Sequence, residues 1–216
     1  MEKIVKVGLH KIEKWGTNLE AQVKKYEARG DEKGQIVFYG PSNFTRWSTK
    51  YGAKPLEEEI VGKSGKPCGI NRGFGSSGAE HHLYYYPRMV RAMEPSVLVY
   101  APGLGNSLSF GYTHEEVFAL ATRVVTYART DFPDMPIYIC GFNVRKEPEG
   151  KTREYIEWLR ELANEVPNCK FIDVAAYEPL HRDDIFAEDG KHFNALGYSI
   201  YAEMFRNVLA DELEKL

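Results

Sequence analysis

Cysteine is scarce. Only Cys68, Cys140 and Cys169 occur among the 216 residues, widely spaced and with no C-x-x-C pair. That pattern argues against a disulfide framework and against a cysteine zinc site. Neither charge sign dominates: 28 Lys and Arg stand against 31 Asp and Glu, a formal net charge of −3. A nucleic-acid partner or a polybasic membrane contact gains no support from that balance. Long apolar runs are missing too, none approaching the ~20 residues that span a bilayer. The opening residues, Met1-Glu-Lys-Ile-Val-Lys6, lack the apolar core of a signal peptide, so a cytoplasmic protein is expected. No internal repeat, low-complexity tract or linker divides the chain, so one domain over residues 1–216 is expected.

What is present has the balance of a globular domain, with 43% hydrophobic and 27% charged residues. A chain this long buries roughly 70% of its unfolded surface and needs no cross-links to hold a core. Leu19, Val23 and Tyr26 recur at helical spacing before Gly30. Short apolar runs follow at Gln35–Tyr39, Cys68–Asn71, Ser96–Tyr100, Pro136–Cys140 and Lys170–Val174. They are continuous rather than alternating, as in strands buried on both faces. Between them lie helical stripes: Val117, Leu120, Ala121, Val124 and Ala128 after a Thr113–Glu116 capping box, then Ile156, Leu159, Ala163 and Val166. A last helix is expected after an Asn194 cap, running toward Leu216. Strand–helix alternation of this kind predicts a parallel sheet between helical layers.

Ligands of open α/β sheets bind beyond the carboxyl ends of the strands, so those loops carry the chemistry. Gly40-Pro-Ser42-Asn43 follows the first strand; its serine is a candidate nucleophile, against the commoner reading of a turn residue or helix cap. Gly73-Phe-Gly-Ser-Ser-Gly78 follows the second, and its amides suit an anion or oxyanion. The string also fits G-x-G-x-x-G, but it comes late in the chain and lacks the acidic ribose partner. Asn106, in the loop after the third strand, could donate to a developing charge. Asp189 and His192 are spaced so that the carboxylate could orient the imidazole. His81-His82 is read as a packing or solvated pair. Trp47, Phe110, Tyr112 and Tyr84–Tyr86 are candidate liners of an acyl or sugar pocket, or ordinary core.

Taken in order, these blocks resemble those of the SGNH hydrolases, the GDSL-type esterases and lipases, from about Asn18 to the end. Phe38-Tyr-Gly-Pro-Ser-Asn-Phe-Thr-Arg-Trp47 is similar to the family's nucleophile block, and Asn71-Arg-Gly-Phe-Gly-Ser-Ser77 to its second. Asp189-Gly-Lys-His-Phe-Asn194 is similar to its last, and Phe110–Val117 to the segment after its asparagine block. The resemblance implies a three-layer α/β/α sandwich with a five-stranded, flavodoxin-like parallel sheet. It implies ester hydrolysis by Ser42, His192 and Asp189, with the Ser42 and Ser76 amides and the Asn106 side chain as the oxyanion hole. It implies no metal or organic cofactor, and a small acyl-ester substrate, acetylated carbohydrates included. Three departures stand out: Pro41 replaces the usual aspartate, Ser76 stands at a glycine position, and the asparagine block reads Gly103-Leu-Gly-Asn106-Ser107. The rival reading is a catalytically eroded binding module of the same fold, for a sugar or acyl ligand.

Overall fold

The computed structural model describes residues 12–142 and 149–216; Met1–Lys6, read above, lie outside them. Its centre is a parallel sheet in the order β2-β1-β3-β4-β5. The strands are β1 (Ile36–Gly40), β2 (Gly69–Gly73), β3 (Val97–Tyr100), β4 (Ile137–Cys140) and β5 (Cys169–Ile172). Nine α-helical segments accompany it among the described residues: α1 (Ile12–Arg29), α2 (Ser42–Thr45), α3 (Leu56–Glu59), α4 (Ala79–Met89), α5 (Leu104–Ser109), α6 (His114–Asp131), α7 (Gly150–Glu165), α8 (Ala195–Val208) and α9 (Ala210–Leu213). This is the expected three-layer α/β/α architecture in flavodoxin-like order, with its topological switch between β1 and β3.

Strand periodicity explains the two helical layers. Successive side chains point to opposite faces, so Val37 and Tyr39 enter one core with residues of α1, α4, α6 and α7. Ile36 and Phe38 enter the other, with residues of α2, α3 and α8. Both faces are covered, which is why β1, β3 and β4 read as unbroken apolar runs. β5 departs from that expectation. It is an edge strand in which Lys170 is exposed and only Ile172 is buried, and it starts one residue before the expected run and ends two residues short of it.

Helix starts follow local chemistry. The Thr113 hydroxyl accepts from the Glu116 amide while the Glu116 carboxylate accepts from the Thr113 amide. Asn194 caps α8 by accepting from the Gly197 amide, and that helix breaks at Leu209 before the short α9 instead of running unbroken. No described helix is long and apolar enough to cross a membrane.

Candidate active site

β1 delivers Ser42 to the site. The strand ends at Gly40, Pro41 starts a turn, and Ser42 is the first residue of α2. A residue in that position has an amide with no intrahelical acceptor. The turn is braced from below by β2. Asn71, buried, donates from Nδ2 to the Phe44 carbonyl at 2.7 Å and accepts from the Gly73 amide at 2.9 Å. Gly73 has to be a glycine: a Cβ there would meet the Phe44 Cβ and the Thr45 amide at 2.5 Å. From the other side the Tyr198 hydroxyl, on α8, donates to the Asn43 carbonyl at 3.0 Å.

The residues before α8 form a tight loop closed by a bridge between Phe186 and Phe193. Inside it the Ala187 amide donates to the His192 carbonyl at 2.8 Å and the Gly190 amide to the Ala187 carbonyl at 2.9 Å. The loop brings His192 Nε2 to 2.8 Å from Ser42 Oγ across 150 residues of sequence. Asp189 Oδ2 lies 2.7 Å from His192 Nδ1, while Oδ1 accepts from the His192 and Lys191 amides at 2.9 and 3.0 Å. Those two backbone donors, helped by the imidazole, hold the Asp189 carboxyl well below the usual carboxylate range. An ionised Asp189 can only accept, so the Nδ1 contact requires a proton on Nδ1. The lone pair of a neutral imidazole then points from Nε2 to the serine hydroxyl.

A residue without a role in the sequence reading joins this chain. Arg46, at the C-terminal cap of α2, donates from Nη1 to Asp189 Oδ2 at 2.8 Å. It stands four residues after Ser42, and its amide donates to the Ser42 carbonyl at 2.9 Å. The signal was available in that spacing, since residues four apart on a helix share a face.

Ser42 and His192 open onto a cleft of about 160 Å³ over the carboxyl ends of β1, β3 and β4. Asn106, on α5, lines the same cleft and donates from Nδ2 to the Ser77 carbonyl at 2.8 Å. A primary amide carries two N–H donors, so one remains. Gly103, which enters α5 at φ +70, takes a left-handed backbone that glycine accepts at no steric cost. Ser76 is placed differently. It is exposed, has φ +64, and lines a neighbouring groove rather than this cleft.

The aromatic liners are Phe142, Tyr155 and Phe193, with Leu104 beside them. Trp47, Phe110, Tyr112 and Tyr84–Tyr86 do not line the cleft; Trp47 is instead fully buried and stacked on Tyr198. His81 and His82 are both fully buried, a packing pair and not a solvated one. Burial pushes the His82 imidazole well below its ordinary value. It therefore stays neutral against Ser77 Oγ, 2.9 Å from its Nε2. The G-x-G-x-x-G string follows β2, the edge strand, away from the switch between β1 and β3 where a dinucleotide would bind.

Solved structures share this fold. A proposed acylhydrolase from Bacteroides fragilis superposes with a TM-score of 0.70 at 16% identity, over 91% of this chain and 98% of that one. A GDSL-like lipase from Bacteroides thetaiotaomicron gives 0.62 at 15% identity, over 93% and 97%. A variant of an acetyl-xylooligosaccharide esterase from Geobacillus gives 0.61 at 15% identity, over 82% and 94%. At such identities the likeness is one of fold. No family model matches the sequence, and no curated protein matches it.

Proposed function

We propose that the chain hydrolyses esters of short acyl groups, with Ser42 as nucleophile. The observation that carries this reading is the unbroken chain Ser42 Oγ–His192 Nε2 at 2.8 Å and His192 Nδ1–Asp189 Oδ2 at 2.7 Å. Ser42 Oγ attacks the carbonyl carbon as His192 takes its proton at Nε2. The C–O bond to the alcohol then breaks, and His192 returns that proton to the leaving oxygen. Water repeats the sequence to free the acid and restore the serine. Asp189, held ionised, keeps the imidazole in the required tautomer and balances the imidazolium. The tetrahedral oxyanion is met by the Ser42 amide and the second N–H of Asn106, which both border the cleft, whereas Ser76, expected to give a third donor, lines the neighbouring groove.

The cleft, at about 160 Å³, is smaller than the ~300–1,000 Å³ that holds a whole small molecule. It suits an acetyl to butyryl group, with the alcohol portion outside. Acetylated carbohydrates belong to that class, and the fold neighbour from Geobacillus acts on an acetyl-xylooligosaccharide.

Hydrolysis of p-nitrophenyl acetate and butyrate by the purified protein tests the proposal. Ser42→Ala should abolish turnover. Asn106→Ala should lower kcat by at least about tenfold with KM nearly unchanged, because its contact strengthens in the transition state. A protein inert toward both esters, or a Ser42→Ala variant as active as wild type, favours the binding-module reading.

A further inference from the structure

Beside the cleft runs a second, larger groove of about 520 Å³, to which the proposed reaction assigns no residue. We infer that it is a subsite for a negatively charged group, a carboxylate, sulfate or phosphate, on the alcohol portion of the ester. This rests on the hydrolase reading for the word ester, but the anion-binding claim can be tested without turnover.

Charge is the first argument. The protein as a whole is net negative, yet the groove is lined by Lys25, Arg29 and Lys50 and by no acidic residue. Arg29 is already matched, its guanidinium paired with Asp31 and Glu57. Lys25 and Lys50 are exposed and have no carboxylate within salt-bridge distance among the described residues. They come from different elements, α1 and the 3-10 turn Thr49–Tyr51. Two unmatched cations in one concavity of an otherwise acidic protein focus positive potential there.

The wall chemistry is the second argument. Thr45, Ser48, Ser76 and Tyr51 supply hydroxyls, and the internal acceptors of Thr45 and Ser48 lie at 3.4 and 3.5 Å, near the limit of a hydrogen bond. Those hydroxyls can turn to a ligand at little cost. Tyr51 is held between Arg46 and Lys50, each within cation–π distance of its ring at 5.0 and 5.5 Å. The floor is also set in place: Gln22 accepts from the Gly75 amide at 2.8 Å and donates back to its carbonyl at 3.3 Å.

Position is the third. β1 and β2 are neighbours in the sheet, so the loops after them open on the same rim. Helix α2 gives Ser42 and Asn43 to the cleft and Thr45 to the groove. At 1.5 Å per residue, Ser42 and Thr45 are separated by only about 5 Å along the helix. An alcohol portion leaving the cleft past α2 therefore enters the groove that Lys25 and Lys50 line.

The test pairs 4-acetoxybenzoate and 4-acetoxybenzenesulfonate with neutral methyl 4-acetoxybenzoate. Each variant is compared with wild type on the same ester, so leaving-group differences cancel. Lys25→Glu/Lys50→Glu should raise KM at least about tenfold for the anionic esters and leave the neutral ester unchanged. Lys25→Arg/Lys50→Arg should retain wild-type values. Raised salt should weaken only the anionic esters, as screening requires. In parallel, D-glucuronate, sulfate and phosphate are titrated calorimetrically into Ser42→Ala and into Ser42→Ala carrying the two Lys→Glu changes, which also distinguishes the anion types. Binding lost with the lysines upholds the subsite even where no ester is hydrolysed, an outcome that sinks only the hydrolase reading. Equal effects on the charged and neutral esters overturn the subsite, as does a lack of binding by all three anions.

Discussion

Arg46 donates to Asp189 Oδ2 at 2.8 Å, the same oxygen that faces His192 Nδ1 at 2.7 Å. The helix that opens with the candidate nucleophile thus ends on the carboxylate that orients the candidate base. Two strands of the mechanism, far apart in sequence, are tied by one guanidinium.

Arg46→Ala should therefore lower kcat/KM for p-nitrophenyl acetate several-fold while leaving the fold intact. The effect is modest because both partners are about one-third exposed, at 30% and 36% of their side chains, and solvent screens such pairs. Arg46→Lys, which keeps a cation four residues after Ser42, should recover part of the loss. An Arg46→Ala variant with wild-type kcat/KM would contradict a role for the Arg46–Asp189 contact in holding the site.

Asp189 makes a separate prediction about stability. Its folded-state pKa is depressed, chiefly by the His192 and Lys191 amides. The stabilisation it contributes is full above the unfolded value near ~3.9 and is lost as pH falls through the lower folded value. The difference in Tm between wild type and Asp189→Asn should be largest above about pH 4 and should narrow below it. Thermal melts from pH 3 to 7 read this directly; a gap that widens toward pH 3 contradicts it.

Asn71 is the buried brace between β2 and the nucleophile turn. Asn71→Ala would leave the Gly73 amide without its acceptor, while the Phe44 carbonyl would keep the Trp47 amide at 3.0 Å. Urea unfolding should show a loss of about 1–3 kcal/mol, the cost of one buried group left without a partner, with a matching fall in esterase activity at temperatures where the variant is still folded. A loss under 0.5 kcal/mol would mean that water replaces the amide at no cost.

Much of this arrangement is legible in the residues themselves. Ser42, Asn106, Asp189 and His192 sit where strands end or helices begin, and the glycines, caps and apolar runs that mark those boundaries are local signals. The Thr113 box and the Asn194 cap form as their spacing predicts because their partners are three residues away. What escaped depends on the third dimension. Phe142 and Tyr155 line the cleft only because β4 ends beside β3 and α7 packs against it. Neither residue carries a local mark of that role. β5 reads like the inner strands, and its exposure follows from its place at the edge of the sheet, which one strand's sequence does not state. Ser76 adopts a left-handed backbone that a serine seldom takes and lines a different groove, which its place in the sequence does not state.

The central claim is that Ser42 is a nucleophile activated by His192, and covalent labelling tests it most directly. A fluorophosphonate probe should modify the wild-type protein once per chain, with the adduct mapped by mass spectrometry to the peptide containing Ser42. Labelling should vanish in Ser42→Ala and slow by orders of magnitude in His192→Ala. An adduct on Ser76 or Ser77, or labelling as fast in His192→Ala as in wild type, would contradict the account.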